Sequence, residues 1–429
     1  MKVLWYVNIV LPAAAAHFGF GQTNGGGWLE AQATQLAQSG VQLSILHATP
    51  LVKKPQRAAL ADGITYLLVP PSADQTHFFG AALDSEKPDL VHIFGTEYAY
   101  NLAMAAVCRA AHQPYVVSIQ GIMAECARHY ADGLPARYAR VDPLIRLMKK
   151  VYYADSIALA QQEFAARGKA ESEMLPGCPY LIGRTAWDKA YLAEHAPQAY
   201  YFSINENLRA PFYSGERWAY DACRPHSIFV SQAFYPIKGF HQLLKILPAL
   251  IARYPDLKVY VGGQKAYSLG NALLDAGVDR FFEYQRYLKQ QIKAKGLAPY
   301  LTFLGPLSAE QMKQQYLASN VFLSPSTVEN SPNSVGEAML LGVPVAASRV
   351  GGTPSLLTDG QDGILYDFED LAAMQAAVCR LFDDPAAAAA YGARAAAHAA
   401  KTHDRTQNTK ELLEAYEQIL HDSMAKENP

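Results

Sequence analysis

The chain has 429 residues, half of them hydrophobic and 18% charged. That suits two or three domains with large cores and excludes a wholly disordered chain. Lys plus Arg number 37 against 39 Asp plus Glu, a net charge of −2, so charge offers no case for a nucleic-acid binder.

The segment 3–9 predicts a buried first strand. With Lys2 before it and alanines at 13–16 behind it, the run has the outline of a signal peptide. Asn8 and Pro12 interrupt it, however, and one basic residue precedes it, so a strand followed by a glycine-rich loop is the better reading. In that loop Gly19-x-Gly21-x-x-Asn24 lacks the third glycine of a dinucleotide fingerprint. His47-Ala48-Thr49 stand where an acidic residue should close the second strand, so no NAD site is expected. Gly25, Gly26 and Gly27 directly precede a helix, 28–38. There, backbone amides can approach an anion or a sugar closely, or the glycines form a simple flexible turn. Further strands are predicted at 41–47, 64–69, 90–94, 115–119 and 180–182, with helices at 98–111, 138–152 and 156–174.

A stretch rich in Tyr, Pro and Arg, 200–225, breaks the rhythm and marks a domain boundary. Strands then follow at 227–231, 258–261, 301–304, 321–323, 343–347 and 364–366. Helices are expected at 239–253, 284–295, 308–318, 332–341, 353–358, 368–382 and 386–400, and a last one at 405–422. Short apolar runs alternating with helices mean an α/β chain of parallel units, used twice. The expected domains are 1–215, 216–404 and a C-terminal helix, 405–429. Two doubly wound domains place ligands outside the carboxyl ends of their strands.

No apolar run approaches the ~18 residues of a membrane span. The cysteines (Cys108, Cys126, Cys178, Cys223, Cys379) are odd in number and never spaced C-x-x-C. They fit reduced cytoplasmic thiols better than disulfides or a zinc site. No Walker A sequence and no Asp-x-Asp pair occurs, which excludes a P-loop kinase and one common metal-binding motif of sugar transferases.

The most informative segment is 325–344, PSTVENSPNSVGEAMLLGVP. A strand ends at Ser324-Pro325 and Glu329 sits in the following loop. Ser331 is the expected N-cap and Pro332 the first helical residue. The helix start offers amide groups and the positive end of its dipole. Glu337 lies on the helix. Two carboxylates beside amide donors suit a ligand with hydroxyls and phosphates; a solvated loop carboxylate and a helix-surface Glu are the plain alternative. Lys238, after the strand 227–231 and before Gly239, is a cation placed to pair with a diphosphate.

Glu329-x7-Glu337, with Gly342-x-Pro344 and Gly351-Gly352, resembles the retaining nucleotide-sugar glycosyltransferases of the GT-B fold. Family 4, of the bacterial polysaccharide-assembly type, is the nearest. Gly26-Gly27, Asp89-x-Val91-His92, Lys238-Gly239, Phe303-Leu304-Gly305 and Pro325-Ser326 extend the resemblance over most of the chain. It implies two Rossmann-like domains facing across a cleft, with the C-terminal helix crossing back to the first domain. It also implies that Glu329 contacts the donor sugar's hydroxyls, that Glu337 holds the nucleotide ribose and that Lys238 meets the diphosphate. Asn330, Ser331, Asn333, Ser334, Val335, Gly305 and Pro306 join Gly26 and Gly27 as donor contacts, the amides of 331–335 cradling sugar and phosphates.

Three positions depart from the family pattern: Ala233 replaces an arginine, Gln120 a histidine and Ser355 a glutamate. Arg184 or Arg209 is the expected substitute for the missing positive charge; a structural arginine paired with Asp188 or Glu206 is the competing reading. Without the histidine, retention still works, because the leaving phosphate oxygen can take the acceptor's proton. Gln120 and Glu97 are expected on the acceptor side. His92 is either a satisfied core histidine or an acceptor contact. The segment 144–151 alternates apolar and basic residues and offers a peripheral contact with the inner membrane, or an ordinary helix surface.

The resemblance therefore implies a cytoplasmic hexosyltransferase that needs no metal or cofactor. Its partners would be a nucleotide diphosphate sugar, UDP-linked, and a glycan or polyprenyl-linked acceptor in capsular, exo- or lipopolysaccharide synthesis. A sugar-nucleotide epimerase, a glycan phosphorylase and a non-enzymatic two-domain sugar-binding protein are the alternatives.

Overall fold

Two sheets organise the chain. The computed structural model describes residues 1–21, 26–72, 74–141, 147, 156–263 and 282–427. The first unit comprises Met1–Met123, Arg167–Ala210 and Thr402–Pro429, and the second comprises Ala124–Ala166 and Pro211–Lys401.

The first sheet holds β1 (Lys2–Tyr6), β2 (Gln42–Ala48), β3 (Gln56–Ala59), β4 (Thr65–Val69), β5 (Leu90–Phe94), β6 (Tyr115–Ser118), β7 (Tyr180–Gly183) and β8 (Tyr200–Ser203). Their order is β3-β4-β2-β1-β5-β6-β7-β8. Pairing is parallel throughout, apart from β3, which joins β4 antiparallel. Val3, Leu4, Trp5 and Tyr6 are all buried, as a central strand covered on both faces requires. Trp5 points into one core layer and Leu4 and Tyr6 into the other. The C-terminal helix, Arg405–Glu427, supplies Leu412, Ala415, Tyr416 and Ile419 to the Trp5 layer. The last helix thus packs on the first unit, as expected from the sequence.

The second sheet holds β9 (Arg224–Val230), β10 (Lys258–Gly262), β11 (Leu301–Gly305), β12 (Ser319–Ser324), β13 (Val345–Ser348) and β14 (Ile364–Tyr366). The order is β11-β10-β9-β12-β13-β14, all parallel. All six residues of β12 are buried. The helix Phe240–Arg253 buries Phe240, Leu243, Leu244, Leu247 and Leu250, the three-and-four spacing of one helical face.

Residues 124–166, assigned to the first domain by the sequence pattern, group with the second unit. Their described parts are pinned there: His241 Nε2 donates to the Asp132 carbonyl at 2.9 Å, Ser156 and the Ile157 amide both donate to Glu283, and Tyr138 meets Tyr287 edge to face. The helix expected at 138–152 lies largely outside the described residues; its start appears as a short 3-10 turn, Ala136–Ala139.

Each sheet has a topological switch point. In the first, the chain moves outward from β1 through β2, then returns beside β1 as β5 and runs the other way. In the second, the reversal lies between β9 and β12. Crevices outside the carboxyl ends of those strand pairs are where doubly wound sheets bind ligands.

Candidate active site

The loops that follow β9 and β12 interlock. After β9 a 3-10 turn, Pro236–Lys238, leads into Gly239, whose φ of +65° starts the helix Phe240–Arg253. A Cβ on Gly239 would lie 1.6 Å from the Pro325 carbonyl oxygen. Only glycine allows this approach. The Thr327 amide donates to the Ile237 carbonyl at 2.7 Å, tying the same two loops together. From the other side Gly351, at φ +50°, presses on the Glu329 carbonyl, where a Cβ would sit 2.0 Å away.

This packing brings Lys238 and Glu329 together. Lys238 Nζ lies 2.5 Å from Glu329 Oε1, and Ser326 Oγ donates to the same oxygen at 2.8 Å. Burial alone would lower the Lys238 pKa, but the Glu329 carboxylate outweighs it and the value is raised; the ammonium stays charged. Glu337 is 3% exposed on the helix Asn333–Leu341, and the Glu329 side chain is 13% exposed. Neither carboxylate is a solvated surface group.

The helix start differs from expectation. Pro332, with ψ of 102°, is the cap, and the helix begins at Asn333. The Pro332 carbonyl accepts from the Val335 and Gly336 amides at 2.9 and 3.2 Å. The amide of Val335, expected in the ligand cradle, is therefore engaged within the protein. Ser334 presents its carbonyl to the Tyr316 hydroxyl at 2.9 Å, and Asn330 is buried in the loop. Gly305 ends β11 and Pro306 follows it, on the same carboxyl edge but two strands from β9.

In the first unit, Asn8 follows β1 and Glu97 follows β5, one on each side of the switch point. Asn8 Nδ2 donates to Glu97 Oε2 at 3.0 Å. Burial, reinforced by Glu171, raises the Glu97 carboxyl to about 7. Gly26 and Gly27 open the helix Gly27–Gln38, and the Arg209 stem lies across Gly27, with Cδ 3.1 Å from where a Cβ would be. Gly25 lies outside the described residues.

Arg184 takes the structural role. Its guanidinium pairs with Glu206 and donates to the Ile119 and Gln120 carbonyls at 3.0 and 3.1 Å, with a side chain 5% exposed. Gln120 is partly buried beside it. His92 is 1% exposed and fully paired: Nδ1 with the Tyr416 hydroxyl at 2.6 Å and Nε2 with Ser118 Oγ at 2.7 Å. Burial pushes its pKa down to about 3. It is a satisfied core histidine, not an acceptor contact. The segment 144–151 lies outside the described residues except for Leu147, which is exposed.

Sequence reasoning missed Asn8, Ser326, Gln232 and Tyr235. The last two stand in the loop after β9, beside Lys238, so the rule about strand ends could have found them. Among the described residues, no group of three or more His, Cys, Asp or Glu side chains could hold a metal ion. No described helix is long and apolar enough to cross a membrane.

Residues 224–384 match the family model described as glycosyl transferases group 1. Across nearly its full length the chain superposes on sucrose-phosphate synthase from Thermosynechococcus elongatus, with a TM-score of 0.71, 16% identity and 98% and 99% coverage of the two chains. The chain has the GT-B fold, and its residues 224–384 are similar to the group 1 glycosyl transferases. HepE of Anabaena, solved in complex with UDP-glucose, shares this fold at a TM-score of 0.68 and 15% identity, covering 97% and 100% of the two chains. A D-inositol 3-phosphate glycosyltransferase from Corynebacterium urealyticum is 30% identical over 196 residues, 45% of this chain. That match spans 42% of the relative's length, less than half. The matched segment, 224–384, thus contains the whole Lys238–Glu329 constellation and the helix that carries Glu337.

Proposed function

We propose that the protein transfers a sugar from a nucleoside diphosphate donor to a glycan or polyprenyl-linked acceptor, with retention of configuration. The observation that carries this reading is the Lys238–Glu329 pair, 2.5 Å apart at the switch point of the second sheet. In the proposed reaction Lys238 offsets charge on the departing phosphate and Glu329 accepts from the sugar hydroxyls. Glu337 accepts from the ribose, and the positive dipole end of the helix Asn333–Leu341 faces the phosphates. The bond from the anomeric carbon to the phosphate oxygen breaks, and a bond to the acceptor oxygen forms on the same face. The acceptor's proton passes to the departing phosphate oxygen, so no protein base is needed. This fits Gln120 at the position where the resembled family usually has a histidine. Glu97, at the first unit's switch point, is assigned to the acceptor, and Arg209 to an anionic group at the Gly26-Gly27 turn.

A hexose carried on UDP is the proposed donor, supported by the likeness to a protein solved with UDP-glucose. A cytoplasmic, metal-independent role in bacterial surface or exported polysaccharide assembly completes the proposal. The test is a thermal-shift panel of nucleotides and nucleotide-sugars. A ligand at 100 times its dissociation constant should stabilise by about 2.7 kcal/mol. A flat response to the whole panel at saturating concentrations would sink the donor-binding reading.

A further inference from the structure

The loop between β9 and Lys238 presents a group that the reading above leaves unused. Tyr235 is 37% exposed, unlike most large apolar side chains among the described residues. Its hydroxyl donates to Gln232 Oε1 at 3.1 Å, and its ring centroid is 5.6 Å from Lys238 Nζ. The aromatic face thus lies toward the ammonium, on the same short loop. Outside β9 and β12, Tyr235 pairs with Gln232 while Lys238 and Ser326 pair with Glu329, and the Tyr235 ring brings the two groups side by side.

A departing nucleoside diphosphate gains charge on the phosphate that leaves the sugar. Lys238 is the cation of this loop, and Glu329 already neutralises it at 2.5 Å. The pair brings no net charge, so further hydrogen-bond donors must share the phosphate. Ala233, two residues before Tyr235, is fully buried and supplies none. The Tyr235 hydroxyl is a donor on the same loop as the ammonium. Its partner, Gln232, is an exposed side chain, so water can replace the bond between them and rotation about the phenolic C–O bond can redirect the proton.

We propose that Tyr235 is a catalytic residue of the transfer reaction, its hydroxyl donating a hydrogen bond to the departing diphosphate beside Lys238. This rests on the proposed function, in which Lys238 meets the diphosphate. Tyr235 gives up no proton; the acceptor's proton still goes to the phosphate oxygen. An ordinary phenol titrates at about pH 10, so the O–H persists at neutral pH.

The test compares wild type with Tyr235→Phe, which keeps the ring. Affinity is measured for whichever of UDP, GDP and ADP shifts the wild type, and for the matching nucleoside, which lacks phosphates. Transfer is followed as kcat and KM. The expected result is a roughly ten- to hundred-fold loss in kcat and weaker diphosphate binding, as for a lost hydrogen bond to a charged group, with nucleoside affinity and melting temperature unchanged. Unchanged kcat and diphosphate affinity in Tyr235→Phe would overturn the proposal. So would a defect that appears only in Tyr235→Ala, since the ring rather than the hydroxyl would then matter. If no nucleotide binds wild type, the proposed function itself fails. Binding and transfer by wild type with an indifferent Tyr235→Phe would remove this inference alone.

Discussion

Gly239→Ala is a one-carbon change with a large expected effect. The residue has φ of +65°, and its missing Cβ would lie 1.6 Å from the Pro325 carbonyl oxygen. Holding a non-glycine residue in left-handed geometry costs about 1–2 kcal/mol. Forcing the facing loop to give way adds about 1–3 kcal/mol, the usual range for overpacking. For a domain of about 200 residues, each kcal/mol is worth about 2–4 °C, so a fall of about 4–20 °C in the melting temperature is expected. The second consequence is functional. Pro325 must retreat, and the loop that carries Glu329 must retreat with it, which opens the 2.5 Å contact to Lys238. A displacement of about 1 Å in such machinery can cost a hundred-fold in rate. The assay pairs a melting curve with a titration of UDP or the nucleotide selected by the panel. If Gly239→Ala melts and binds like wild type, the reasoning about interlocked loops is wrong.

Three further outcomes follow from the first unit. Arg184→Ala should destabilise by about 3–5 kcal/mol, because it leaves the Glu206 side of a buried ion pair, while nucleotide affinity measured on the folded fraction stays unchanged; full stability with weakened nucleotide binding would restore Arg184 to the phosphate role. Tyr416→Phe removes the hydroxyl that accepts from Trp5 Nε1 at 3.0 Å and pairs with His92. It should cost about 1–3 kcal/mol in a denaturant titration, and a neutral result would mean that water replaces the hydroxyl. Glu97 has a carboxyl raised to about 7 in the folded state, against about 4.3 unfolded. The folded state therefore binds the extra proton, so this group's stabilising share is complete below about pH 4 and lost as pH rises to about 7. Glu97→Gln should flatten the pH dependence of stability across that window, and an unaltered slope would contradict the burial argument.

The fold was legible where apolar runs are continuous. β5 and β14 match the expected 90–94 and 364–366, and most other strands shift by a residue or two at their ends. β3 escaped because Gln56–Ala59 is largely exposed and polar, and pairs only with β4 at a sheet edge. β8, Tyr200–Ser203, is the opposite edge, half exposed and set in the stretch taken for a domain linker. The packing of 124–166 on the second unit was invisible, since an amphipathic pattern shows that a face is buried but not against which core.

The site was legible to the same depth. Lys238 and Glu329 stand 91 residues apart in sequence, and their separate motifs identified each. That they meet depends on β9 and β12 being neighbours, a pairing that no local pattern encodes. Arg184 shows the converse. Its charge made it a phosphate candidate, but a side chain can spend its charge on a neighbour, here Glu206, and only three-dimensional burial reveals the choice. The helix start moved by one residue because Pro332 adopts an extended ψ and caps the helix instead of entering it.

The central claim is that Lys238, beside Glu329, receives the diphosphate of a nucleotide-sugar. Calorimetric titration of UDP-glucose, or of the nucleotide-sugar selected by the panel, into wild type and Lys238→Met tests it most directly, with the matching nucleoside as reference. The account predicts at least about a ten-fold loss of nucleotide-sugar affinity in Lys238→Met, the scale of one lost charge-assisted contact, with nucleoside affinity unchanged. Equal nucleotide-sugar affinity in the two proteins would contradict it.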